Sequence, residues 1–459
     1  MLPSSRELRS HKLTPAVILT SAQKQLQFKK CKGINFSQRQ QQRIKQSEFQ
    51  PQVKTKKQSK TDRSQEELPK KTLRLCVASY GGSSASYSVL PLVSIGSSNQ
   101  SSKPREIEFP SSDDDGDYFG MACGVVGSNL YFFGGQRREQ ESSNSDTDGK
   151  PAAPLSRYSL YDYNPKVFKL DLANSETNVA SRLVIKKKNS RVPEMFSGMA
   201  SPLIIVVERK LYVLAGTPVS MLPECPFVVL DSKTNTWEKL PSPPFLTPDS
   251  KFFQDPQFRA YVVIGNEIHV STSSSSFTFD TEKKKWTRCT LFDEDDHHLE
   301  LRRRPWIDIR YPTHFEWMTY PLNNDKDKQD CGVPFDFDGG AVIYDEDVLI
   351  CFVPSKGVVA YKLDDGEVKN TQVLKGLKIP LDVTFAYLAD FGEGSFYLLT
   401  VSNDDQPKQH CQICITSFQV SKVKNELRMI KISKVKKSIH STAQLAQHKN
   451  WSPIGCFVV

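Results

Sequence analysis

Short apolar runs separated by turn residues recur along this chain from Thr72 onward, and runs of strand formers broken by Gly, Ser, Asn or Asp predict hairpins. Three segments share one layout: GMACGVVGSNLYFFGG (Gly120 to Gly135), SGMASPLIIVVERKLYVLAG (Ser197 to Gly216) and FRAYVVIGNEIHVST (Phe258 to Thr272). In each, an apolar run (Ala122 to Val126, Leu203 to Val207, Tyr261 to Ile264) meets a tight turn at 127–129, 208–210 or 265–267, then a second apolar run. The sequels are YDYNPKVF (Tyr161 to Phe168), LDSKTNTW (Leu230 to Trp237) and FDTEKKKW (Phe279 to Trp286). They predict a third strand ending at Asp162, Asp231 or Asp280, whose carboxylate suits a tight turn. A fourth strand is predicted near Phe168, Trp237 or Trp286, each aromatic anchoring its strand against the neighbouring sheet.

Two weaker copies follow, Asp336 to Val353 leading to Val358–Val368, and Phe385 to Val401 leading to Cys411–Val420. With the two runs between Leu73 and Gly96 they make about six units of strand, turn, strand, loop, strand. The chain end, Trp451 to Val459, predicts one more strand that would complete the first unit. The expected fold is therefore all-β, a propeller of about six four-stranded blades closed by strands from both termini, which leaves no open sheet edge at the seam. Helical signal is almost absent: the best candidate is Ser441 to Asn450, with a second short one around Ala16 to Phe28. Residues 1–71, rich in Gln, Lys and Ser, lack the apolar content to offset chain entropy and are expected to be a disordered basic tail. Residues 72–459 are the expected propeller, with insertions at 137–157 and 291–335.

A double Gly after an apolar strand, followed by Asp and then Trp with five residues between them, resembles the kelch repeat of β-propellers. Tyr131–Gly135 and Asp231–Trp237 carry the match best, and Ser197 to Phe245 follows the phrasing of the divergent kelch-type propellers of plants, whose function is largely unknown. The resemblance covers residues 73–459. It implies a module that binds other molecules, with Gly134 and Gly135 standing where a side chain would clash. Plant propellers of this kind often follow an F-box, but Leu68-Pro69 is not followed by the apolar helical pattern of one.

Charge sharpens this picture. The net charge of +9 divides into +12 over residues 1–71, −11 over 72–407 and +8 over 408–459, an acidic body between basic ends. Such asymmetry speaks of partners. The tail would suit nucleic acid or anionic lipid, and VKTKKQSK (Val53 to Lys60) would equally serve nuclear import. One acid, Glu7, among residues 1–47 also suits a plastid transit segment. The expected location is intracellular: cytoplasm, nucleus or plastid. No run reaches the roughly 18 apolar residues of a membrane helix, and the ten scattered cysteines read as reduced thiols buried in strands.

Catalytic and metal motifs are sparse. Cys411 and Cys414 form a lone CxxC where structural zinc needs four ligands, and the acid and histidine run from Asp293 to His298 opens a loop with no ligand geometry in its spacing. Cys456-Phe-Val-Val matches a prenylation box with an atypical last residue. No Gly-rich phosphate loop, nucleophile elbow or HExxH motif is present, so neither cofactor nor metal is expected. The insertion 291–335 carries Arg303, Trp306, Tyr311 and Trp317, residue types that dominate binding hot spots. The expected function is a non-catalytic protein-interaction module binding a partner through loops on one face, with those four residues as contacts. Two alternatives stand beside it: an enzyme or small-ligand binder using the central channel, and nucleic-acid association through the tail.

Overall fold

In a computed structural model of the chain, the described residues are 72–81, 84–94, 105–109, 118–138, 161–175, 182–185, 192–216, 222–247, 258–272, 275–292, 335–364, 366–377, 383–403, 411–423, 426–438 and 450–458. The chain divides after Glu67, and all of these residues belong to the second unit, Leu68–Val459. The expected tail lies outside the described residues, as does each expected insertion apart from its ends.

Six sheets carry the fold, and each forms a blade. Blade I joins Asn450–Val458 to Thr72–Gly81, Ser84–Ser94 and Arg105–Glu108. Blade II holds Phe119–Val126, Asn129–Arg138 and the two pieces Tyr161–Tyr163 and Phe168–Asp171. Blade III runs Leu203–Val207, Lys210–Leu214, Phe227–Asp231 and Thr236–Lys239, and blade IV runs Phe258–Ile264, Glu267–Thr272, Ser276–Asp280 and Lys285–Arg288. Blade V holds Val342–Tyr344, Val348–Val353, Gly357–Asp364 and Glu367–Val373; blade VI holds Val383–Gly392, Ser395–Asn403, Cys411–Val423 and Glu426–Ser438. Two short strands add parallel partners: Arg182–Val184 beside Arg105–Glu108, and Gly339–Gly340 beside Phe258–Ile264.

The core lies between the blades. One apolar cluster joins blades I and II, a second joins II, III and IV, and others join IV to V, V to VI and VI to I. That set of clusters closes a ring. The first strand of each blade lies innermost, and neighbouring inner strands touch around the axis. In blade I that strand comes from the C-terminus: Leu73 stands opposite Val458 and Leu75 opposite Cys456, so both ends of the propeller build one sheet.

Local chemistry explains the hairpins. Val126 faces Asn129, Val207 faces Lys210 and Ile264 faces Glu267, which leaves two-residue turns. Their first residues, Gly127, Glu208 and Gly265, have φ of 60°, 55° and 58°, the left-handed region that two-residue hairpins use. After the third strand the next turn is capped by Asp. Asp231 Oδ1 accepts from the amides of Lys233 and Thr234 at 2.8 and 3.3 Å, and Asp280 Oδ1 accepts from Glu282 and Lys283 at 3.0 and 2.8 Å. These bonds hold the Asp231 carboxyl below the usual carboxylate range, and the Lys283 ammonium together with the amides does the same for Asp280. In blade II the same position falls at Asp171, which faces Asn129 and caps Ala173 N at 3.0 Å. Asp162 instead pairs with Arg137, and Phe168 faces Phe132 within the third strand.

The tryptophans tie blade to blade. Trp237 Nε1 donates to Pro193 O at 2.7 Å, and Trp286 Nε1 donates to Pro241 O at 2.9 Å. Each partner carbonyl belongs to the segment that leads from the preceding blade. The rings, partly buried, follow the same rule: Trp237 meets Phe133 of blade II edge-on at 6.1 Å, and Trp286 meets Phe227 of blade III at 5.3 Å. Gly134 permits a similar approach on the other side of blade II. Its φ is 69°, and a Cβ there would lie 2.3 Å from Met199 O.

This geometry sets two expectations for stability. Trp237→Phe keeps most of the ring and loses the bond to Pro193, and should cost about 1 kcal/mol in urea unfolding; Trp237→Ala should cost about 3 kcal/mol. Equal midpoints for the two variants would count against the ring as an inter-blade anchor. Glu208→Gly removes left-handed strain that exceeds the entropic penalty of glycine, and should raise stability by about 0.5 kcal/mol.

Candidate functional site

Strand direction sorts every connection onto one of two faces. In an antiparallel blade the loops after the second and fourth strands emerge on the same side. On that side leave the long connections 109–118, 139–160, 215–226, 240–257, 289–338, 374–382, 404–410 and 439–449, together with the short ones 82–83, 273–275 and 354–356. The opposite side carries the turns 127–128, 208–209, 232–235, 265–266, 281–284, 345–347, 365–366, 393–394 and 424–425, with 95–104 and 172–181 as its longer connections. Both predicted insertions therefore spring from one face. Thr72 and Val458 lie on the other, since Leu73 pairs with Val458 at that end of blade I.

The base of the larger insertion is anchored in the core. Phe292 and Phe335 are buried, with ring centroids 5.3 Å apart, and Phe337 and Tyr361 complete the cluster. Phe335 N donates to Ser271 Oγ at 2.9 Å. Asp336, 3% exposed, accepts from the Tyr361 hydroxyl at 2.5 Å and from Lys356 Nζ at 3.1 Å, so its charge is matched. Burial pushes the Tyr361 hydroxyl far above its ordinary range, which keeps it a donor. Arg303, Trp306, Tyr311 and Trp317 lie outside the described residues, as does the run from Asp293 to His298.

The inner strands begin at this face, which therefore holds one mouth of the channel. Arg259 pairs there with Asp338, Nη2 to Oδ1 at 2.9 Å. Deeper in, Gly340 packs against the Tyr261 ring, where a Cβ would lie 3.1 Å from the hydroxyl oxygen, and Gly339 approaches Ala386 O of blade VI. The glycine pair thus draws three inner strands together and narrows the ring. Burial raises the phenols of Tyr261 and Tyr387, so both stay protonated and serve as neutral hydroxyls.

The other candidate groups are structural. His269 is 5% exposed; its Nδ1 meets Thr278 Oγ1 at 2.9 Å and Cys289 Sγ at 3.6 Å. Burial lowers its pKa to about 4 and raises that of the Cys289 thiol, so the pair stays neutral and lacks a thiolate nucleophile. Cys411 and Cys414 occupy one continuous strand, three residues apart, so their positions belong to opposite faces and do not converge. Cys456 is 3% exposed within the closing strand. Among the described residues no group of three or more His, Cys, Asp or Glu side chains is placed to hold a metal ion. Among them also, no helix is long and apolar enough to cross a membrane.

Comparison with known proteins adds a lineage. Residues 176–291 match a family described as a protein of unknown function (DUF1668). An F-box/kelch-repeat protein of Arabidopsis thaliana is 29% identical over 136 residues, which are 29% of this chain and 32% of that protein. The chain is a β-propeller that is similar, over part of its length, to a kelch-repeat protein. The kelch match thus spans about a third of its curated relative's length. Among solved structures, YjhT is 11% identical, with 79% of this chain and 99% of that one covered at a TM-score of 0.39. AztD from Citrobacter koseri is 9% identical, with 85% and 98% covered at 0.31.

The buried histidine gives this propeller a defined acid response. An unfolded His269 titrates near its ordinary value of 6.5, whereas the folded side chain resists protonation down to about 4. The unfolded state therefore binds more protons in that window, and stability present above pH 6.5 should fall by about 3 kcal/mol as pH drops to 4. Glu267, raised by burial and by Asp280, offsets part of this loss. His269→Gln should remove the histidine share, read as the difference between the urea midpoints of the two proteins at pH 7 and pH 4.5.

Proposed function

We propose that this kelch-type propeller is a protein-interaction module. It binds a partner protein through the face from which 139–160 and 289–338 leave, and it does so without covalent chemistry. One observation supports the reading above the others: long connections gather on one face, while the other is closed by short turns at nearly every position. A rigid ring that holds long segments on one side is a scaffold for recognition. The anchored base at Phe292, Phe335 and Tyr361 fits this role, because binding residues gain from a support that does not move. The named Arabidopsis relative, an F-box/kelch-repeat protein, accords with a part in protein assembly. Arg303, Trp306, Tyr311 and Trp317 are the proposed contacts.

The test is a pull-down from native plant extract with the full chain beside a version carrying Ala at those four positions. A partner retained by the first and lost by the second, with both showing the same circular dichroism, is the expected outcome. An identical set of bound proteins would overturn the assignment of the face and move attention to the channel.

The channel reading has one observation of its own, the neutral phenols of Tyr261 and Tyr387 among the inner strands. These would offer hydrogen bonds to a small neutral ligand.

A further inference from the structure

The outermost strand of blade VI, Glu426–Ser438, differs from its counterparts. It has 13 residues, where the fourth strands of blades III and IV have 4 each and that of blade V has 7. It ends its sheet, so its outer edge has no strand partner among the described residues. Propellers keep such edges short because a long one is a template for pairing. The apolar surface gathers here as well. Among the described residues the exposed large apolar side chains are Phe196, Val373, Val423, Ile430 and Ile432; Val373, Ile430 and Ile432 lie on the outer strands of blades V and VI, and Val423 ends the third strand of blade VI at the turn into the outer one. Gly376 of blade V lies so near Ile432 that a Cβ there would come within 2.7 Å of Cδ1, which places the outer strands of the two blades side by side.

Charge then narrows the choice of occupant. Glu426 is the only acid on the strand, and Arg428 Nη2 neutralises it at 3.3 Å. Beyond that pair the strand holds Lys431, Lys434, Lys436 and Lys437 with no acid. The edge also accepts an amide already: Gln372 Nε2 donates to Leu427 O at 2.6 Å, and Leu427 N donates to Gln372 Oε1 at 3.1 Å. One side-chain amide thus makes the two bonds that a residue of an added strand would make at Leu427.

We propose that the edge of Glu426–Ser438 beyond Leu427 docks an extended acidic segment of a partner protein, added as a further strand of blade VI. Backbone bonds supply the affinity on either side of the bulge where Lys431 and Ile432 together oppose Phe418, the exposed Ile430 offers apolar contact, and the basic sequence of the strand selects acidic side chains. This surface is separate from the insertion face, and its failure would leave that reading intact.

The test uses the full chain and a fluorescein-labelled short peptide of alternating Glu and Val, read by fluorescence anisotropy. Binding is expected to weaken by about tenfold or more for the Lys–Val peptide and for the Glu–Val peptide N-methylated at alternate residues. The triple variant Lys431→Glu, Lys434→Glu, Lys436→Glu should lose the Glu–Val peptide equally, whereas the four-alanine insertion variant should keep it. Equal binding of the N-methylated peptide would show charge attraction without strand addition and overturn the proposal. So would absence of binding to a chain with native circular dichroism, displacement of the peptide by phosphatidylserine vesicles but not by excess unlabelled peptide, or a dimer that dissociates on the triple substitution. The N-methylation comparison leaves the protein unaltered, so its result holds even if the triple variant misfolds.

Discussion

The pairing of Thr72–Gly81 with Asn450–Val458 is the constraint on which the ring depends. It joins residues almost a whole propeller apart in sequence, and closing a loop of that length costs about 5 kcal/mol in chain entropy. Leu73, Leu75, Val77 and Cys456, all within a few per cent of full burial, pack against Leu399, Val401, Ile413 and Ile415 of blade VI. Leu and Val side chains buried to that degree contribute about 1.5–3 kcal/mol each, so Leu73, Leu75 and Val77 together offset the closure. Without the C-terminal strand, blade I would lack its inner member and the clusters on both of its sides would open to water. Between the other blades, aromatic side chains bridge neighbouring pairs: Trp237 and Trp286 lean on the blade before, and Tyr344 of blade V on Phe396 of the blade after.

Much of this architecture is readable in the residues. The hairpins of blades II, III and IV announce themselves because a two-residue turn with one left-handed residue leaves a narrow sequence trace: Gly127, Gly265 and, less plainly, Glu208. The closing strand is legible because Trp451 to Val459 is apolar with no partner nearby in sequence. The third strand of blade II departs from its expected end at Asp162 for a physical reason. Asn164 and Pro165 imitate a turn, with Asn164 Oδ1 accepting from Lys166 N at 3.0 Å, yet the chain resumes the same strand at Phe168 and turns only after Asp171. The parallel additions at Arg182–Val184 and Gly339–Gly340 are too short to carry any periodic signal, and tertiary contact alone decides them.

The candidate face shows a different limit. Sequence locates the long insertion and its aromatic content, but which side of the ring it leaves from is a property of strand order. The basic strand after Lys422 reads as an outer strand with a wet face; what sequence does not show is that Gln372 of another blade bonds to it at Leu427. Surfaces assembled from separate blades have no linear signature, and that includes the narrowing of the channel by Tyr261 against Gly340.

The break in the covalent chain falls inside blade I, between Thr72 and Val458, on the side of the short turns. The propeller is thus a circle whose starting point is a matter of history. Thr72 and Val458 lie together on the side opposite the long connections, so the seam of the ring and those connections occupy different faces and each can change in evolution without altering the other.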